Sequence, residues 1–119
     1  MALPFLDTNV LLRHLLQDHP QQSPRATAYL ARVENRQVKV RTADTVVFET
    51  VFTLQRQYGV SKEEIRDNLL PILELPGIVL PGKRRLRKVF DLYVDREAGK
   101  SSFFLFWHRR YKVIFLVLL

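Results

Sequence analysis

The chain has 119 residues, 47% of them apolar, and 19 Lys or Arg against 12 Asp or Glu, for a net charge of +7. That length suits one domain with a real core, and a sequence without cysteine excludes disulfides, thiolate catalysis and cysteine-ligated zinc. No basic leader precedes Asp7, and the longest apolar run, residues 113–119, falls far short of the roughly 20 residues a bilayer span needs. A cytoplasmic protein without a membrane segment is therefore expected.

In chain order, residues 3–6 read as a short strand. Thr8 or Asn9 then caps a helix whose apolar positions are Val10, Leu11, Leu15 and Leu16. The segment DHPQQSP breaks that helix, and Ser23 before Pro24 opens a second one through Ala26, Tyr29, Leu30 and Val33. Residues 38–40 form a brief strand, after which Asp44 or Thr45 caps a third helix with a stripe of Val47, Val51, Leu54 and Tyr58. Gly59 ends it. Ser61 and Glu64 make a capping box for a fourth helix running to about Leu73. PGIVLPG holds a strand, and Leu86, Val89, Phe90 and Tyr93 give residues 83–95 one apolar face suited to a fifth helix. Beyond it, an apolar segment from Phe103 and the run VIFLVLL read as further helix or strand. Short apolar strands alternating with helices predict an α/β layer fold with a mostly parallel sheet. The active crevice of such a sheet lies at the C-terminal ends of its strands.

Two carboxylates stand out. Asp7 falls at a strand-to-helix corner, and Glu49 sits among apolar neighbours in TVVFETVFTL, where a charge is costly unless something compensates it. Together they suggest half of a metal site. The structural alternatives are an N-cap cluster for Asp-Thr-Asn and, for Glu49, a contact with Thr53 or Arg56 on its own helix. His14, His19 and His108 show no metal-ligand spacing.

The excess positive charge is confined to the last third. Residues 1–82 balance nine cations with nine anions, whereas 83–119 carry ten and three, with eight of the thirteen aromatic residues. Cations interleaved with aromatic rings are a pattern of nucleic-acid binders, and equally of a buried aromatic segment flanked by solvated charge. The run KRRLRK opens the fifth helix with cations, against the helix dipole. Lys83, Arg84, Arg85, Arg87 and Lys88 are thus candidates for RNA phosphates or an acidic partner, or form an exposed face with nothing bound.

The segments LDTNVLLRHLL at 6–16, ETVFTLQRQYGVSKEEI at 49–65 and LELPGIVL at 73–80, leading into a helix ending DLY at 91–93, resemble the PIN-domain family and its VapC-type toxin ribonucleases. The resemblance covers residues 3–95. It implies a Rossmann-like three-layer fold with a central, mostly parallel sheet, a Mg²⁺ or Mn²⁺ ion held by carboxylates, and hydrolysis of RNA to 5′-phosphate and 3′-hydroxyl ends. By that likeness Asp7 is the first metal-binding acid and Glu49 the second, with Thr8 and Asn9 orienting Asp7. A cognate antitoxin is the implied protein partner, and a homodimer is compatible with the family's habits.

The family supplies further aspartates beyond the fifth helix. This chain has no acid after Glu97, leaving as substitutes Asp95, at the end of that helix, or Asp91, inside it, neither of them at the family's position. Residues 96–119 depart from the family pattern as a basic and aromatic tail, attributable to a frame change, truncation or divergence. The expected function is a metal-dependent endoribonuclease of the toxin-antitoxin type, impaired by its incomplete acidic cluster. The alternatives are a catalytically inactive PIN-like module binding RNA or an antitoxin, and a decayed gene product.

Overall fold

The computed structural model describes residues 2–95, so the expectations for residues 96–119 lie outside the described residues. The order is α1 (Thr8–Leu16), α2 (Gln22–Glu34), β1 (Val40–Arg41), α3 (Asp44–Arg56), α4 (Lys62–Leu73), β2 (Ile78–Val79), and a 3-10 turn (Lys83–Arg85) leading into α5 (Leu86–Asp95). This is a mixed α/β chain, mostly helical, with parallel strand pairing.

The strands are shorter than their apolar runs suggest. β1 lies at the centre, paired in parallel with β2 through Val40–Ile78 and Arg41–Val79, while the first segment contributes a single parallel bridge from Phe5 to Arg41. Two local causes explain the trimming. Pro4 has no N–H and contributes only its carbonyl, which accepts from Arg41 N–H. The Val38 N–H is turned back to the Arg32 carbonyl at the end of α2, so β1 begins at Val40 rather than Val38.

Strand alternation then sorts the side chains. Val40 and Ile78 are fully buried, whereas Phe5, Arg41 and Val79 share the opposite face and are exposed. The Arg41 guanidinium lies 4.9 Å from the Phe5 ring centroid.

The helices close the core in sequence, α1 on α2 and α3, α3 on α4, and α4 on α5. Leu86, Val89, Phe90 and Tyr93 are all buried on α5, as their spacing predicts. Ser61 Oγ accepts from Glu64 N–H, so the predicted cap of α4 is present. Three other helix starts differ from expectation. Asp7 rather than Thr8 or Asn9 caps α1, its Oδ1 accepting from Thr8 N–H at 2.7 Å. Ala43 occupies the cap position of α3, with Asp44 already in the first helical turn. Helix α2 begins one residue before Ser23, whose buried hydroxyl accepts from His19 N–H. Tyr58, expected on the buried stripe of α3, lies past the helix end and is 46% exposed.

His14 Nδ1 is 2.8 Å from Thr27 Oγ1 between α1 and α2, and burial pushes its pKa below the ordinary 6.5. It is a packing residue.

Candidate functional site

Because the three chain segments of the sheet run parallel, their C-terminal ends emerge at one edge. Leu6 leads there to Asp7, β1 leads to Thr42 and α3, and β2 leads to Leu80 and the basic turn. Thr42 is buried and ties that edge together. Its N–H donates to the Val79 carbonyl at 2.9 Å and its hydroxyl donates to the Leu6 carbonyl at 3.0 Å. Sequence reasoning passed over Thr42, although a polar residue closing a short apolar strand is the available signal.

Asp7 and Glu49 are brought together through Thr8. The Thr8 N–H donates to Asp7 Oδ1, and the Thr8 hydroxyl donates to Glu49 Oε2 at 2.9 Å. One buried threonine thus holds the adjacent Asp7 carboxylate and the Glu49 carboxylate 41 positions further along the chain. The Asp7 backbone is extended (φ −89°, ψ 156°), as an N-cap requires, so capping α1 and presenting a carboxylate at the sheet edge are the same conformation. Being an N-cap does not remove Asp7 from the site.

Glu49 is not the charge buried among apolar neighbours that its sequence context suggests. Its neighbours Phe48 and Thr50 are buried, but the helix turns Glu49 itself into solvent. Its charge is therefore not one stranded among apolar groups. Its significance comes from the long-range bond to Thr8.

Asn9 is exposed and makes no side-chain hydrogen bond among the described residues; orientation of Asp7 falls to Thr8. Asp44 Oδ1 accepts from Thr45 N–H. Asp95 stands at the end of α5, where it and Asp91 act electrostatically on Arg66 of α4. No group of three or more His, Asp or Glu side chains placed to hold a metal occurs among the described residues. Asp7 and Glu49 are a pair, not part of a triad with Asp95.

The basic run divides by role. Beyond Leu80, Gly82 takes a left-handed conformation (φ 75°) that L side chains adopt at a cost, and starts the 3-10 turn. A cleft of about 820 Å³ opens there, with Glu74 opposite Arg84, Arg85 and Arg87. Lys83 turns inward, its ammonium donating to the carbonyls of Leu75 and Ile78, and burial lowers its pKa from the ordinary value against the field of Glu74. Arg87 makes a forked pair with Glu74 at 2.7 and 3.2 Å. Arg84, Arg85 and Lys88 are exposed and without an ion pair among the described residues.

Lys83→Met is accordingly expected to leave two carbonyls without their charged donor and cost about 1.5–3 kcal/mol, read as a lower urea midpoint. Lys88→Met, on the exposed face, is expected to leave the midpoint unchanged.

No family model, curated protein or solved structure matches the chain.

Proposed function

We propose that the chain is a metal-dependent endoribonuclease with a PIN-like fold, of the toxin type that a cognate antitoxin neutralises. The observation that carries this reading is the Thr8 bridge, which gathers Asp7 and Glu49 at the C-terminal edge of a parallel sheet. Both acids are exposed, and all their donors are oxygens, which suits a hard cation such as Mg²⁺ or Mn²⁺ that retains several waters. Asp7 and Glu49 would hold the ion. When bound, it supplies a lowered water pKa and charge compensation at the scissile phosphate.

The chain's own groups do the positioning. Thr8 fixes one oxygen of each carboxylate, leaving the other oxygens for coordination. Thr42 keeps the strand end that bears Asp7 in register with the strand that leads to α3. Arg84, Arg85 and Lys88, emerging from the same sheet edge, are suited to the RNA backbone, where each phosphate contact adds salt-sensitive affinity. Lys83 and Arg87, already engaged within the fold, contribute less.

A mixed RNA pool incubated with the full chain and Mg²⁺, Mn²⁺ or chelator tests the reading. Cleavage that requires the metal supports it; a folded protein that cuts nothing refutes it. Thr8→Val keeps the volume and the N–H to Asp7 but removes the hydroxyl bond to Glu49. Its kcat/KM is expected to fall about tenfold, with stability changed by about 1 kcal/mol or less.

The basic cleft favours a second reading, a non-catalytic module that binds RNA or an antitoxin through Arg84, Arg85 and Lys88. Salt-dependent binding without cleavage would establish it. No described helix is long and apolar enough to cross a membrane.

A further inference from the structure

We propose that the groove between α1 and α2 is a nucleobase subsite, taking one unpaired base of a single-stranded RNA beside the phosphodiester held at Asp7. The inference rests on the RNA reading above and adds the residues that would grip the strand. The groove encloses about 340 Å³ and is walled by Val10 of α1 and by Ala26 and Tyr29 of α2. That volume lies at the small end of ligand pockets. It suits a single base with its sugar.

Three features select a nucleotide. Tyr29 is half-buried and presents an aromatic ring to the groove, and bases of any identity stack on such a surface. Asn9, exposed in the first turn of α1 two residues from Asp7, offers an amide that both donates and accepts, matching the polar edge of a base. Arg25 is exposed on the rim and makes no ion pair among the described residues, so it is available to a phosphate. The other rim cation, Arg13, is already bonded to Asp18 at 3.0 Å. The five-residue connection returns α2 antiparallel to α1, which places Asn9 and Tyr29 toward the Asp7 end and Arg13 and Arg25 farther along. A strand entering at Arg25 would lay its base over Tyr29 and bring its next phosphate to the acidic corner.

The test uses the full-length Asp7→Asn chain, in which cleavage is expected to be suppressed, and a fluorescein-labelled single-stranded oligonucleotide read by anisotropy. Tyr29→Leu, which retains apolar volume but not the ring, should weaken binding at least about fivefold, while Tyr29→Phe should bind as the parent does. An oligonucleotide of abasic sites should bind the parent and Tyr29→Leu equally. Arg25→Ala, at an exposed position that makes no ion pair among the described residues, should lower affinity and reduce the salt slope by about one phosphate contact. Equal affinity of Tyr29→Leu and parent for intact RNA would overturn the subsite whatever Arg25→Ala does, as would an absence of RNA binding by the folded parent. Binding is read without cleavage, so a failed nuclease assay leaves this result standing, and a working nuclease with an indifferent Tyr29 sinks the subsite alone.

Discussion

Asp7→Asn is expected to reduce metal-dependent RNA cleavage by roughly a hundredfold or more while leaving the protein as stable as before. The two outcomes separate the carboxylate's two roles. As the N-cap of α1, Asp7 accepts a hydrogen bond from Thr8 N–H, and asparagine performs that task about equally well. As a metal ligand, asparagine offers a neutral oxygen in place of an anion and is much poorer for a hard cation. Asp7→Ala removes both roles, so it should lose cleavage to the same degree and also about 1 kcal/mol of stability. Steady-state cleavage beside thermal melts of the three proteins checks the pattern. If Asp7→Asn retained full cleavage, Asp7 would be a cap and nothing more.

Phe90→Ala is expected to give the largest stability loss of the changes considered, about 3–5 kcal/mol. Phe90 is fully buried on α5 and meets Tyr93 edge to face, with ring centroids 6.4 Å apart at 81°. Tyr93 in turn donates its hydroxyl to Gln55 of α3, and Lys62 of α4 lies 5.3 Å from its ring. Tyr93 therefore ties α5 to α3 and α4, and Phe90 packs beside it as a fully buried ring of the core. A loss of that size is a large fraction of the 5–15 kcal/mol that ordinary domains possess and should lower the melting temperature by roughly 15–30 °C. Truncating Tyr58, 46% exposed beyond the end of α3, should change stability by about 0.5 kcal/mol or less.

The same contrast shows what the sequence makes legible. The stripe of Leu86, Val89, Phe90 and Tyr93 and the Ser61–Glu64 capping box are local patterns, set by one helix period and one hydrogen bond, and both appear as their spacing requires. Strand extents are not local. Residues 3–6 shrink to one bridge because Pro4 lacks a donor, and β1 starts late because α2 captures the Val38 N–H. Asp7 and Glu49 were recognisable as acids worth attention, but the link between them is a hydroxyl 41 positions from Glu49, which no periodicity encodes. The run KRRLRK illustrates the same limit. Its five cations become an internal cap at Lys83, an ion pair at Arg87 and exposed charge at Arg84, Arg85 and Lys88, according to which carbonyls and carboxylates the fold sets beside each.

The central claim is that Asp7 and Glu49 form one cation site, joined by Thr8 and separate from Asp95. Mn²⁺ binding to the full chain, followed by the loss of the free-ion electron paramagnetic resonance signal, tests it most directly. One bound ion is predicted, with affinity falling at least about tenfold in Asp7→Asn and in Glu49→Gln alike, and unchanged in Asp95→Asn. Binding that survives both of the first two substitutions, or that Asp95→Asn abolishes, would contradict the account.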